Sequence, residues 1–453
     1  MSTEQPSDLS QIFKSYDIRG TVGKSLTTAS VRDIGRAFAD WLPTTGIVAV
    51  GHDMRPDSAE LAEAFMQGLQ VQGYDVWDIG LVTSDMIYFA VGKWKLAGGA
   101  VITASHNPGK DNGIKLYRDQ VVAVGLDAGL ADIRDRFLAN QFKPAADKPG
   151  ARQIRLITNE WVEHCLGFVT GLKPYKIAID AGNGMAGAIL PSILPKLPLS
   201  TQQMYFDLDG TFPNHEANPQ KLENLSDLIT AVTKNKYDLG IAFDGDGDRA
   251  VLVDDKGRPV LGTDLLTMLA KLYLQKYPGS KIVHDVRTSR ATQELIRKWG
   301  GEPVRTKAGR VNIGSLMRQI GAPFGGETTG HMFFKENYDA DSGLITTLLA
   351  LQALSDSGLK LSELIDSYRL YAMIPEMNIE TSVEKDSLFK TLAEAFKDGE
   401  QDWLDGLTVN YPDSWFNLRA SNTEPVMRLN AEAKTQDKLD TLVSKVTRLI
   451  QAQ

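Results

Sequence analysis

Cysteine is almost missing from this chain: Cys165 is the single one among 453 residues. An internal disulfide is therefore excluded, and a cysteine-based zinc site has no footing. Such usage fits a reducing compartment, so a cytoplasmic location is expected. Long apolar runs are missing too. The richest stretch, LITTLLALQAL from Leu344 to Leu354, is interrupted by Thr and Gln and reads as a core helix, so no membrane span is expected. The N-terminal MSTEQPSDLSQ lacks the basic-then-apolar layout of a signal peptide. Positive charge is in deficit, with 49 Lys and Arg against 57 Asp and Glu and a formal net charge of −8. A general nucleic-acid binder needs the opposite balance, which leaves room only for a local basic pocket.

What the chain does contain is an ordinary globular composition, 42% hydrophobic and 8% aromatic. Its length exceeds what one core supports and suggests about three or four domains. Three segments share one layout: Ile47–Leu69, Lys176–Leu194 and Lys281–Trp299. Each opens with a short apolar, β-branched run that suits a buried strand, then places an Asp (Asp53, Asp180, Asp285), a turn and a helical pattern. Each is followed by a second strand candidate and a distinctive loop: TASHNPGKDNG, DGDGDR and GGETTGH. This reads as one α/β domain of roughly a hundred residues used three times, with mixed or parallel sheets.

From about Tyr371 the order changes to strand, helix (KDSLFKTLAEAFKDG), strands GLTVNYP, WFNLRAS and VMRLNAEA, and a helix from Thr435. That is a smaller α+β domain with its own loop, RASNTEP. The expected architecture is three similar α/β domains with mixed sheets plus this C-terminal α+β domain, around a central cleft where ligands bind. The expected divisions are 1–150, 151–255, 256–370 and 371–453.

The loop FDGDGDRAVLVD, Phe243 to Asp254, crowds carboxylates between two strand-like runs. Glycines between Asp244, Asp246 and Asp248 let the backbone curl so that the three side chains converge, and three hard oxygen donors suit Mg²⁺ or a similar cation. An EF-hand calcium loop is disfavoured, because Arg249 stands at its sixth position and Asp255 at its twelfth. A solvated acidic turn is the plainer alternative. An incomplete carboxylate shell leaves room for a phosphate oxygen. Ser105, in TASHNPGKDNG, ends a buried-looking run beside His106, but no G-x-S-x-G surrounds it, which argues against a hydrolase nucleophile elbow. The residues alone leave a catalytic Ser105 and an ordinary strand-end serine both open.

SYDIRG, TASHNPGKDNGIKLY, DGDGDR, GGETTGH and RASNTEP follow in this order from Tyr16 to Pro425. As a series they closely resemble the α-D-phosphohexomutases, in the phosphomannomutase/phosphoglucomutase branch. The resemblance implies that Ser105 carries a phosphate and joins Asp244, Asp246 and Asp248 in holding Mg²⁺, while Arg249 hydrogen bonds to that phosphate. Phosphoryl transfer then interconverts hexose 1-phosphate and hexose 6-phosphate through a bisphosphorylated sugar, and hexose 1,6-bisphosphate serves as activator. Lys115 and His331 match positions near the transferring groups, and His106, beside Ser105, is expected among the catalytic residues. Tyr16 and Arg19 border the cleft, Glu327 and Thr329 match sugar contacts, and Arg287 joins them as a substrate-binding residue. Arg419, Ser421, Asn422, Thr423 and Arg428 would clamp the phosphate that is not transferred. The expected partners are small sugar phosphates, with no nucleic acid and no membrane, for a monomer or homodimer.

Three positions depart from the usual pattern. Thr329 replaces the family's Ser, Arg310 stands where many relatives carry His, and Arg287 stands where some carry Lys. SYDIRG and PNHEANPQKLENL favour mannose or glucose phosphates over the phosphoglucosamine branch. A phosphatase and a non-catalytic sugar-phosphate sensor are the readings from other classes. RASNTEP speaks against the first, and the retained Ser105 and aspartates against the second.

Overall fold

The computed structural model describes residues 9–381, 384–420 and 426–451. They form two compact units, one of residues up to 260 with 329–362, the other of 261–328 with 363 onward. No helix among the described residues is long and apolar enough to cross a membrane.

The first unit holds two mixed sheets. One has the order Ile18–Thr21, Asp111–Arg118, Gly98–Ile102, Ile47–His52, Asp75–Leu81, Arg152–Ile154, with Val122–Ala123 against Asp111–Arg118. Ile47–His52 runs parallel to both its neighbours, whereas Asp111–Arg118 is antiparallel to its own. Helices Thr28–Trp41 and Ser58–Val71 cover this sheet and touch closely. A Cβ on Gly68 would lie 2.1 Å from the Arg32 carbonyl oxygen, so only glycine admits that approach.

The second sheet has the order Ala250–Asp254, Leu239–Phe243, Tyr175–Asp180, Leu199–Met204. Leu239–Phe243 is parallel to Tyr175–Asp180 but antiparallel to Ala250–Asp254, so DGDGDR is the turn of a tight hairpin. Also in this unit, Met332–Phe334 pairs with Ala340–Asp341 and leads into helix Gly343–Ser357. That helix is largely buried, as its apolar sequence requires, and Ser342 caps it by accepting from Ile345 N at 3.1 Å.

In the second unit, Glu302–Thr306, Lys281–Asp285 and Phe324–Gly326 are parallel neighbours. The C-terminal sheet is antiparallel and runs Ala372–Met373, Val426–Ala433, Ser414–Ala420, Leu407–Tyr411, Glu400–Asp402, with Met377–Glu380 also on Val426–Ala433. Helices Lys385–Ala395 and Gln436–Gln451 close its core through Leu388, Leu392, Leu439 and Val446.

The threefold repeat has a common local cause. Asp53, Asp180 and Asp285 each end their strand and accept from the backbone N–H two residues on: Arg55 at 3.0 Å, Gly182 at 2.8 Å and Arg287 at 2.7 Å. This Asx-type turn redirects the chain from strand toward helix in all three copies.

Candidate active site

Ser105 is buried at the end of Gly98–Ile102 with φ +52°, a left-handed conformation that non-glycine residues avoid. Arg55, Arg19 and Thr103 hold its loop in place. Arg55 donates to the carbonyls of Ser105 (2.9 Å), Asn107 (2.7 Å), Pro108 (2.8 Å) and Asp111 (2.9 Å), and pairs with Asp53 at 3.2 Å. Arg19 adds bonds to the Ala104 carbonyl at 3.1 Å and to Asn107 Oδ1 at 2.5 Å. Ser105 N–H donates to Thr103 Oγ1 at 2.9 Å. Tyr16 lies half-buried just before the strand that carries Arg19.

The hairpin loop of the second sheet meets this serine. Ser105 Oγ donates to Asp244 Oδ2 at 3.1 Å and lies 3.3 Å from His106 Nδ1. Asp244, Asp246 and Asp248 are buried and bring one oxygen each within 4.8 Å of one another. The two glycines of the loop do different work. Gly247 has φ +76°, whereas Gly245 leaves space for the backbone of the serine loop.

Lys115 Nζ bridges Asp246 at 2.5 Å and Asp248 at 2.6 Å. Ser84 donates to Asp246 from its side chain and its N–H. Against the cost of burial, Lys115 holds the Asp246 carboxyl well below its usual range. Burial and the Asp246 charge push Asp248 up to about 7. Asp246 Oδ1 is buried and takes no hydrogen bond among the described residues. Three buried carboxylates with an oxygen to spare fit a hard divalent cation.

Arg249 donates through Nε to Asp244 Oδ2 at 2.9 Å and through Nη2 to His106 Nδ1 at 2.6 Å. Burial and the Arg249 charge push His106 down to about 2, so its imidazole is neutral and accepts. His331 donates from Nδ1 to Asp341 Oδ2 at 2.5 Å and lies 3.9 Å from Asp248. Burial alone would lower its pKa, but the Asp248 and Asp341 charges leave it raised. The hydroxyl of Thr329 is buried and takes no hydrogen bond among the described residues.

In the second unit Glu327 Oε1 accepts from Arg287 Nη2 at 2.8 Å and from Gly309 N at 3.2 Å. Arg287 also holds Asp285 at 2.7 Å. Arg310 opens the helix Arg310–Ile320. Arg419 and Arg428 face each other across adjacent strands, with Glu376 beside both. The other residues expected in the phosphate clamp, Ser421, Asn422 and Thr423, lie outside the described residues.

The structure thus gathers Ser105, His106, Lys115, Arg19, Arg249, His331 and the three aspartates in one unit. It gathers Arg287 and Glu327, and Arg419 and Arg428, in the other. Arg55, Ser84, Asp341 and Glu376 were missed from the sequence. Arg55 left a trace there: D-x-R recurs as Asp53-Met54-Arg55 and Asp285-Val286-Arg287 in the first and third copies.

Models of the phosphoglucomutase/phosphomannomutase family match nearly the whole chain: alpha/beta/alpha domain I over 10–143, domain II over 160–257, domain III over 262–371 and the C-terminal domain over 376–449. The chain belongs to the phosphoglucomutase/phosphomannomutase family. It is a phosphohexomutase, an isomerase that interconverts hexose phosphates. Among relatives, the phosphohexose mutases of Xanthomonas campestris pv. campestris (strain B100) are 39% identical over 426 residues, 93% of this chain and 95% of theirs. A phosphomannomutase of Escherichia coli is 37% identical over 440 residues, 94% of this chain and 96% of its own. A solved structure of a phosphoglucomutase/phosphomannomutase family protein from Burkholderia thailandensis superposes with a TM-score of 0.90 at 32% identity, covering 98% of this chain and 97% of that one.

Proposed function

We propose that Ser105 is the phosphoryl carrier, and that the enzyme acts on mannose and glucose phosphates with hexose 1,6-bisphosphate as activator. In this reading a phosphate on Ser105 Oγ passes to the free O6 hydroxyl of a hexose 1-phosphate. The P–Oγ bond breaks as the P–O6 bond forms, and the hydroxyl proton leaves to a base. The bisphosphate turns end for end, and its O1 phosphate returns to Ser105. The observation that supports this most is the 3.1 Å contact between Ser105 and Asp244 beside two further buried carboxylates.

Asp244, Asp246 and Asp248 would hold Mg²⁺ together with Ser105. When bound, the cation neutralises charge that builds up on the phosphoryl oxygens. Lys115 and Arg249 supply protein positive charge to the same oxygens, and His106 orients Arg249 by accepting a hydrogen bond from it. His331, aligned by Asp341, is the proton-transfer group, because its ring is fixed at one nitrogen and free to work at the other. Glu327 and Thr329 contact the sugar hydroxyls. Arg419 and Arg428, with Ser421, Asn422 and Thr423, grip the phosphate that stays on the sugar. Divisions near 150, 255 and 370 separate these tasks, and the single buried Cys165 fits a cytoplasmic setting.

Ser105→Ala should abolish isomerisation of mannose and glucose 1-phosphates in the presence of activating bisphosphate, with an unchanged melting profile. Substantial turnover in that variant rejects Ser105 as carrier. Comparing kcat/KM for mannose, glucose and glucosamine 1-phosphates decides the sugar. Release of inorganic phosphate in place of isomer would make the protein a phosphatase.

A further inference from the structure

Within the first unit, residues 207–220 form a loop that touches the serine loop, the carboxylate loop and Thr329. Its approach to the serine loop is backbone to backbone: a Cβ on Gly109 would stand 2.6 Å from the Gly210 carbonyl oxygen. The Phe212 ring lies 5.1 Å from the guanidinium of Arg55, which pins Ser105. On the carboxylate loop, Gly245 N donates to the Ala217 carbonyl at 3.2 Å. Gln220 Nε2 donates to the Thr329 carbonyl. Two side chains tie this loop to the sheet behind it. Asn214 Nδ2 donates to Asn183 Oδ1 at 2.8 Å. His215 Nε2 lies 3.0 Å from Asp180 Oδ2, and its Nδ1 lies 2.9 Å from the Glu216 carbonyl oxygen. A carboxylate and a carbonyl only accept, so a ring that serves both carries a proton on each nitrogen and a positive charge. Asp180 is buried and its Oδ1 already accepts from Gly182 N, so His215 supplies the partner for Oδ2. Tyr205 meets the ring edge-on at 5.3 Å, and its hydroxyl donates to Asp227 at 2.5 Å. The Glu216 carboxylate pairs with Lys221. The hydrogen bond to Asp180, with the Asp180 and Asp227 charges, outweighs burial and raises the His215 pKa.

We propose that His215 is a positioning residue for phosphoryl transfer: its doubly protonated ring locks loop 207–220 as a brace that holds the serine loop and the carboxylate loop at their working separation. This rests on the reading of Ser105 and the three aspartates as the transfer site. The path is short. When the ring gives up one proton, the other stays at Nε2, because the carboxylate is the stronger acceptor. The bare Nδ1 then faces the Glu216 carbonyl, lone pair against lone pair. That carbonyl belongs to the peptide group leading into Ala217, whose own carbonyl holds Gly245 beside Asp244. Repulsion there loosens the brace at its contact with the carboxylate loop. The bracing form is therefore complete below the ordinary histidine value of about 6.5 and is lost as pH rises through the raised one. His331 contributes its own pH dependence at Asp248 and Asp341, so the readout is the difference between parent and variant.

The test is kcat and KM on glucose 1-phosphate, with activating bisphosphate and Mg²⁺, for the parent and His215→Gln between about pH 6 and pH 9. Heteronuclear NMR of the histidine rings of the parent accompanies it. Glutamine places its amide nitrogen near the Nε2 position and has nothing at Nδ1, so it imitates the neutral ring at every pH. At the acid end of the range His215→Gln should lower kcat by about 3- to 10-fold, the effect of one lost hydrogen bond. KM should stay within about twofold, because no sugar contact is removed. The two kcat values should converge as pH rises, with the midpoint at which the His215 ring titrates. A kcat ratio that is constant with pH marks a merely structural residue and overturns the proposal. So does a His215 ring, identified by its proximity to Tyr205, that is neutral at about pH 6.5 in the folded parent, a result that needs no variant to fold. Turnover retained by Ser105→Ala defeats the transfer-site reading instead, and leaves the ring titration as it was.

Discussion

Replacing Gly245 by Ala tests how closely the serine loop and the carboxylate loop must approach. The Gly245 backbone does not need a positive φ, so alanine meets no conformational penalty there. The obstacle is space alone. A Cβ at this position would stand 2.4 Å from the Ser105 carbonyl oxygen and 3.3 Å from its carbon, with the Ala217 methyl at 3.4 Å on another side. Ordinary contact begins near 3.4 Å, so one loop has to retreat by about 1 Å. The obstacle is backbone on a loop pinned by four Arg55 hydrogen bonds, so the retreat cannot be absorbed by a rotamer change. A displacement of about 1 Å between reacting groups costs on the order of 100-fold in rate. Overpacking of this kind costs about 1–3 kcal/mol in stability. For Gly245→Ala, kcat/KM on glucose 1-phosphate should therefore drop about 100-fold, while the protein remains folded with a modestly lower melting temperature. Activity within about threefold of the parent, at an unchanged melting temperature, would refute the claim that the Ser105–Asp244 distance governs turnover.

Arg55→Met removes four hydrogen bonds to the serine loop and strands the Asp53 carboxylate, so denaturant unfolding of the first unit should show a loss of about 3–5 kcal/mol; a loss under about 1 kcal/mol would show that the loop holds itself. Burial pushes His284 down to about 4, below its ordinary value of about 6.5. The unfolded chain thus binds a proton first as pH falls, and the second unit should keep full stability above about pH 6.5 and lose about 3 kcal/mol on the way down to about pH 4. His284→Asn, which keeps a donor for the Asp285 carbonyl, should flatten that slope in thermal melts; an unchanged slope would assign it to other groups. Excess chelator should abolish isomerisation and Mg²⁺ should restore it, whereas an unaltered rate would exclude a metal at the three aspartates.

Much of the site could be read along the chain because its parts are local loops between periodic strands. DGDGDR sits between apolar runs that pair as a hairpin, and Ser105 ends a run that forms a buried strand. The three repeat aspartates were visible as well, although their turn-capping bonds were not. Gly245 looked like a source of backbone freedom, but its lack of a side chain serves the approach of Ser105. Lys115 looked like an acid–base candidate, and the fold seats it on Asp246 and Asp248. Nothing local announced Glu376, which lies beside Arg419 and Arg428 only because two strands distant in the chain bring them there.

By itself the sequence determined which segments alternate as strand and helix, that one α/β plan recurs three times, and which loops carry carboxylates, a serine and arginines. Those properties depend on near neighbours, through side-chain periodicity and turn chemistry. The tertiary structure decided which charges meet: Lys115 with Asp246, Arg55 with the serine loop, Glu376 with Arg419. Such pairings join residues far apart in the chain. They are set by packing and by the cost of leaving a buried charge unpaired, which depends on the whole fold and not on spacing.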